Sequence, residues 1–205
     1  MKKFISIFMS ALMLCGVLSA TAFATEETTE VETSAELTLK LEYMDFYENQ
    51  DYYMDLVRDK DYTLCIDVPE EYQELEEARI AEGANDTDEM VPDIARGAGI
   101  PTVGHSILQG SYTFKGEATY TNLYTEKYVY GNTQYIVTVN NSRYGNQALT
   151  CKAFNVVSNS QFTCNAGSTV VKKLTMKGSG PTAISAHLYL QFMAPVKANG
   201  TIAKA

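Results

Sequence analysis

The chain has 205 residues with 16 basic and 25 acidic side chains, a formal net charge of −9, two histidines and four cysteines. No Cys-x-x-Cys or Cys/His spacing of a zinc site occurs, which excludes the common zinc modules. The acids are so unevenly placed that half of the chain lacks the carboxylates for a calcium cage.

Lys2 and Lys3 open the chain, residues 4–24 carry no charge, and Ala22-Phe23-Ala24 forms a small-x-small site. This pattern predicts a secretory signal peptide over residues 1–24, cut after Ala24. The uncharged run is just long enough for an uncleaved anchor, but its apolar centre is short. Cys15 follows Leu14 where a lipoprotein would need a small residue, so it leaves with the signal.

Residues 25–96 hold 23 acidic and 5 basic residues, whereas residues 97–205 hold 2 acidic and 9 basic ones. Such asymmetry marks two functional parts. Residues 25–36 are rich in Thr and Glu and read as a disordered acidic lead. Residues 37–96 read as an acidic N-terminal region or pro-segment with a linker. Leu37, Leu39 and Leu41 alternate, as do Tyr62, Leu64, Ile66 and Val68, predicting two short strands. A helical turn or two is expected within residues 52–60. A firmer helix follows Pro69, with Glu70 and Glu71 at its start, Gly83 as its stop and a thin stripe of Tyr72, Leu75 and Ala78. Residues 82–93 read as a linker. Arg96 then precedes Gly97-Ala98-Gly99-Ile100-Pro101 and is the expected processing point if the acidic half is removed.

Residues 97–205 form the expected basic, tyrosine-rich domain. From Ser111 the even positions (Tyr112, Phe114, Gly116, Ala118, Tyr120) oppose a polar odd set. Tyr135, Val137 and Val139 predict a second strand, followed by a turn-rich segment over residues 140–146. Further strands are expected at Leu149–Ala153, around Phe162 and Cys164, and through Val170, Lys172, Leu174 and Met176. The cleanest alternation runs from Ile184 to Phe192, and residues 196–203 read as a final edge strand. About seven short strands with regular turn signals predict an all-β fold, an antiparallel β-sandwich of Ig-like or jelly-roll-like type. Before it lies a small acidic, partly disordered α/β region.

Cys151 and Cys164 lie symmetrically about a turn at Ser158-Asn159, which predicts facing positions and a disulfide contributing about 3 kcal/mol. The competing expectation is two small thiols buried on the inner face. Cys65 lies apart, in the acidic half.

Glu117 and Glu126 are the only acids of the basic half, so hydrolysis by paired carboxylates has only those two to draw on. His105 lies in a glycine-rich entry loop and His187 on the polar side of its strand. No catalytic set, metal site or cofactor is expected, and the scattered basic residues give no groove for nucleic acid. Tyr124, Tyr128 and Tyr130, beside the Gly131-Asn132 turn, are the candidate ligand-binding residues. Aromatic rings with hydroxyl handles suit sugar faces, although tyrosine also simply favours strands. The expectation is a secreted, non-enzymatic binding or adhesion module of the cell envelope. Its partners would be cell-wall or surface polymers or glycans, and its acidic region would face the basic domain. The alternative is a secreted effector or bacteriocin-like toxin whose acidic pro-segment is cleaved near Arg96.

Overall fold

In a computed structural model, residues 37–82, 99–142, 147–157, 160–180 and 183–205 are described. Ala24, Arg96, the signal and lead segments, the linker beyond Glu82, residues 143–146 of the turn-rich segment, and the turn at Ser158-Asn159 lie outside them. Strands account for 46% of the structure against 25% in helices, so the fold is mostly β.

The acidic stretch opens with strand β1 (Thr38–Glu42), helices α1 (Tyr43–Glu48) and α2 (Gln50–Lys60), then strand β2 (Thr63–Asp67). β1 and β2 pair in parallel, and the helix pair supplies the crossover that parallel strands require. A 3₁₀ turn at Glu70–Tyr72 leads into α3 (Gln73–Glu82). Strands β3 (Val103–Ser106), β4 (Tyr112–Ala118), β5 (Leu123–Tyr124), β6 (Lys127–Tyr130) and β7 (Gln134–Asn141) follow. After them come β8 (Leu149–Ala153), β9 (Gln161–Cys164), β10 (Ser168–Thr175), β11 (Leu190–Phe192) and β12 (Val196–Lys204).

One six-stranded sheet runs β1-β2-β10-β7-β12-β4, a four-stranded sheet runs β5-β11-β8-β9, and β3 pairs with β6. The first core cluster draws Tyr135, Val137 and Val139 from β7, Phe114 from β4 and Ile202 from β12. To these the smaller sheet adds Leu149, Cys151, Leu190 and Phe192, so the cluster has residues from both sheets. The opposite side of the large sheet is apolar too. Leu64, Ile66, Ile136 and Val171 join Tyr43, Phe46 and Val57 of α1 and α2 in a second cluster. Central strand β7 is therefore buried at every position from Tyr135 to Asn141.

Several expectations change. In the half expected to be antiparallel, β3 and β6 pair in parallel. The acidic strands do not stand apart from the basic half: β2 pairs antiparallel with β10 in the same sheet. Residues 196–203 are not an edge strand, because β12 lies between β7 and β4. A Cβ at Gly200 would lie 2.1 Å from the Thr138 carbonyl oxygen and 2.4 Å from the Phe114 ring, so only glycine allows that approach. The Ile184–Phe192 run is a strand only at its end. Ile184–Ala186 form a 3₁₀ turn with Ile184 exposed, while Leu188, Leu190 and Phe192 are fully buried. Tyr120, beyond the end of β4, is exposed.

Helix α3 docks by a face that hydropathy does not reveal. Leu75 is exposed, whereas Gln73, Glu76 and Ile80 are buried. Glu76 accepts hydrogen bonds from Arg79 at 2.7 and 2.8 Å and from the Thr169 hydroxyl at 3.0 Å. Asn140 donates to Thr169 at 3.0 Å and to the Gln73 side chain at 3.3 Å. Arg79 also lies over the Phe46 ring at 5.7 Å, tying α3 to α1. Burial alone would lower the Arg79 pKa, but its hydrogen bonds with Glu76 hold it above the ordinary value.

Glu76→Ala leaves Arg79 and Thr169 without their acceptor in a largely dry setting and is expected to cost about 3 kcal/mol, the low end for breaking a buried pair. Urea unfolding measures this. The double change Glu76→Leu with Arg79→Met should recover part of the loss.

Candidate functional site

The segment from His187 to Phe192 organises the candidate site. Val129 and Leu188 exchange backbone hydrogen bonds at 2.7 and 2.9 Å, and Thr125 donates to the Leu190 carbonyl at 3.0 Å. On its other side, Leu190, Gln191 and Phe192 pair with Ala153, Lys152 and Cys151. Leu188, Leu190 and Phe192 face the core, and strand alternation turns His187, Tyr189 and Gln191 to the opposite face, where His187 and Gln191 are half-buried and Tyr189 is buried.

Rings gather along that outer row. Tyr128 stacks on His187 at 4.0 Å with an interplanar angle of 16°. Tyr130 lies 6.0 Å from Tyr128 and 6.3 Å from His187. Further along, Phe154 stacks on Tyr189 at 4.6 Å and 7°, and the Lys152 ammonium sits 5.0 Å over the Phe154 ring. Gln191 donates to the Tyr124 hydroxyl at 2.6 Å. Burial raises the Tyr189 pKa, and the neighbouring Tyr124 raises it further. The Tyr128 ring lies against Gly104, where a Cβ would fall 2.7 Å from it, so glycine makes room for the stack.

The structure thus brings Tyr128 and Tyr130 together and sets Tyr124 at the other end of the same row, beside Gln191. Sequence reasoning missed Phe154, Tyr189, Lys152 and the ring role of His187. The available signal was the alternation of His187, Tyr189 and Gln191 against buried neighbours. From His187 to Gln191 the row spans about 13 Å of extended chain.

The remaining candidates lie elsewhere. His105 is buried on β3, its Nε2 3.1 Å from the Gly110 carbonyl oxygen and its ring 5.6 Å from Tyr112. Glu117 sits across from Lys197 on β4, and Glu126 lies in the bend before β6; both are exposed. Among the described residues, no group of three or more His, Cys, Asp or Glu is placed to hold a metal ion. Among them, no helix is long and apolar enough to cross a membrane.

The expected disulfide is corrected. Cys151 pairs with Phe162 and Cys164 with Leu149, so the two cysteines are diagonal neighbours rather than partners, and no bond joins them. Diagonal positions are roughly 7–8 Å apart, beyond the usual reach of a disulfide. A register shift of two residues keeps both thiols on the inner face, where they are fully buried. Cys164 Sγ lies 3.1 Å from the Ser168 carbonyl oxygen and 3.4 Å from that of Val139. Burial pushes its pKa up to about 12 and raises that of Cys151 well above a thiol's ordinary value.

No known protein family, curated protein or solved structure matches the chain.

Tyr112 is likewise held at about 12 by burial, against an ordinary value of 10.0. In the unfolded chain Cys164 and Tyr112 would ionise near their ordinary 9.0 and 10.0, while the folded state keeps both protons to about 12. Their contribution to stability is therefore complete below about pH 9 and lost as pH rises toward 12. Thermal melts across that window should show the decline, and thiol reagents at neutral pH should modify Cys151 and Cys164 only after unfolding.

Proposed function

We propose that the protein is a secreted, non-enzymatic binding module of the cell envelope. In this reading its body is a β-sandwich, and its outer aromatic row meets surface polymers or glycans. The observation that carries the reading is the row itself: Tyr128, His187 and Tyr130 at one end, Phe154 backed by the buried Tyr189 in the middle, Tyr124 and Gln191 at the other. Ring faces offer apolar area at little entropic cost, and the tyrosine hydroxyls and the Gln191 amide supply polar contacts. Lys152 adds positive charge suited to anionic polymers. The basic, signal-like start of the chain supports export.

The effector reading, with an acidic pro-segment cut near Arg96, has less support. β2 pairs with β10, Glu77 bonds Lys115 at 2.9 Å, and Lys173 of β10 binds both the Arg58 carbonyl and Asp61. A cut alone would leave the acidic part paired to the rest. Mass spectrometry of the product, with an activity assay before and after cleavage, distinguishes the two readings.

The test is retention on purified cell envelope and on soluble glycans derived from it. Tyr128→Ala with His187→Ala should weaken binding at least about tenfold, equivalent to ~1.4 kcal/mol, with the β-sheet circular dichroism unchanged. Gly104→Ala should have the same direction of effect, because its new methyl displaces the Tyr128 ring without removing it. Undiminished retention in these variants would overturn the assignment of the site.

A further inference from the structure

The large sheet ends at β4, which pairs with β12 on one side only. Ala205 donates its N–H to the Gln134 carbonyl oxygen, and this fixes how backbone bonds alternate between β12 and β7. Odd-numbered residues of β12 bond β7, so even-numbered ones, Ala198 and Gly200 among them, turn to β4. Their partners there are Gly116 and Phe114. The N–H and C=O groups of Lys115 and Glu117 therefore point out of the sheet, where they meet no hydrogen-bond partner among the described residues. Both residues are exposed. Unmet backbone groups in a row are a template for another strand. The opposite edge offers less room, because β1 stops at Glu42, where α1 begins.

From this edge we propose that the protein pairs with a second copy of itself, β4 against β4, antiparallel about a two-fold axis at Gly116. Register selects that arrangement. Only odd-numbered residues can exchange hydrogen bonds across the edge, so three two-fold registers bring its charges against one another. Centring on Lys115 opposes two lysines, and centring on Glu117 opposes two glutamates. Centring on Gly116 sets Lys115 opposite the partner's Glu117, and Glu117 opposite the partner's Lys115. Directly opposed unlike charges stabilise a strand pair, whereas like charges destabilise it.

The same register puts the two glycines together on the axis. That position is not hydrogen-bonded, and there the chains come closest, with Cα atoms about 4.5 Å apart. Glycine within a strand suits such an approach. Lys115 already meets Glu77 of α3 at 2.9 Å, yet its side chain stays 55% exposed, and the partner's Glu117 would set it between two carboxylates. Glu117 forms no ion pair among the described residues. Helix α3 leaves space for the seam, because it packs on β12 rather than on the edge. The two copies of α3 would lie three strand spacings apart, ~14 Å, against a helix diameter of about 10–12 Å. An isologous contact of this kind closes with two copies and builds no fibre. The edge shares no residue with the aromatic row and is independent of the envelope-binding reading.

The experiment is sedimentation equilibrium of the full chain from about 10 µM to 1 mM. The seam is short, so dimers should form with a Kd on the order of 100 µM. Lys115→Glu and Glu117→Lys each oppose like charges across the axis and should weaken self-association at least about tenfold. Mixed together, the two variants should associate nearly as tightly as the unaltered chain, because one edge then carries two glutamates and the other two lysines. Both variants keep the same N-terminal segment, so the difference reports on β4. Should Lys115→Glu fail to fold, hydrogen exchange on the unaltered chain decides. The Lys115 and Glu117 amides should gain protection as concentration rises, while that of Gly116 is protected throughout. A monomer up to 1 mM, self-association untouched by the reversals, a mixture no tighter than its components, or concentration-independent exchange at Lys115 and Glu117 would overturn the proposal.

Discussion

A sheet with two apolar faces needs two covers, and that constraint governs the molecule. β7 places Tyr135, Val137 and Val139 in one cluster and Ile136 in the other, so neither side of it tolerates water. Its neighbour β10 does the same with Val170 and Val171. The smaller sheet contributes to the first cluster and the helices of the acidic stretch to the second. The charge imbalance between the halves of the sequence is thus resolved inside one compact unit, Ala35–Ala205, in which acidic helices lie on a sheet with basic strands.

The second cover is built differently from the first. Near β1 and β2 it is an ordinary apolar contact among Leu64, Ile66, Phe46 and Val57. Toward β12 it becomes polar, with Glu76, Gln73, Thr169, Asn140 and Asn199 buried together. Buried polar groups hold position more strictly than apolar ones, because each must meet its partner's geometry. This network fixes the register of α3 on the sheet.

Much of the strand pattern was legible because alternation is a local property. Leu64 and Ile66, Val137 and Val139, and Leu149 and Cys151 all point inward as their spacing requires. The misreadings share a cause: the deciding partners are remote in sequence. Glu76 is a surface residue by hydropathy, yet its hydroxyl donor Thr169 lies 93 residues away. β12 looks like an edge because Asn199, Gly200 and Thr201 interrupt its apolar pattern, although the paired positions on β7 and β4 enclose them. Of the aromatic row, Tyr124, Tyr128 and Tyr130 stood out in sequence. Phe154, Tyr189 and His187 did not, since only nonlocal strand pairing carries them to one surface. The cysteine pairing failed by two residues of register, which the spacing about a turn cannot fix.

The position of β12 has a kinetic consequence. It follows the other described strands in chain order, yet it fills the gap between β7 and β4. Until residues 196–204 are available, β4 has no seat in the large sheet and one side of β7 stays open. Closure of the sheet therefore waits on its latest-emerging strand, and so much long-range pairing favours slow, late acquisition of structure.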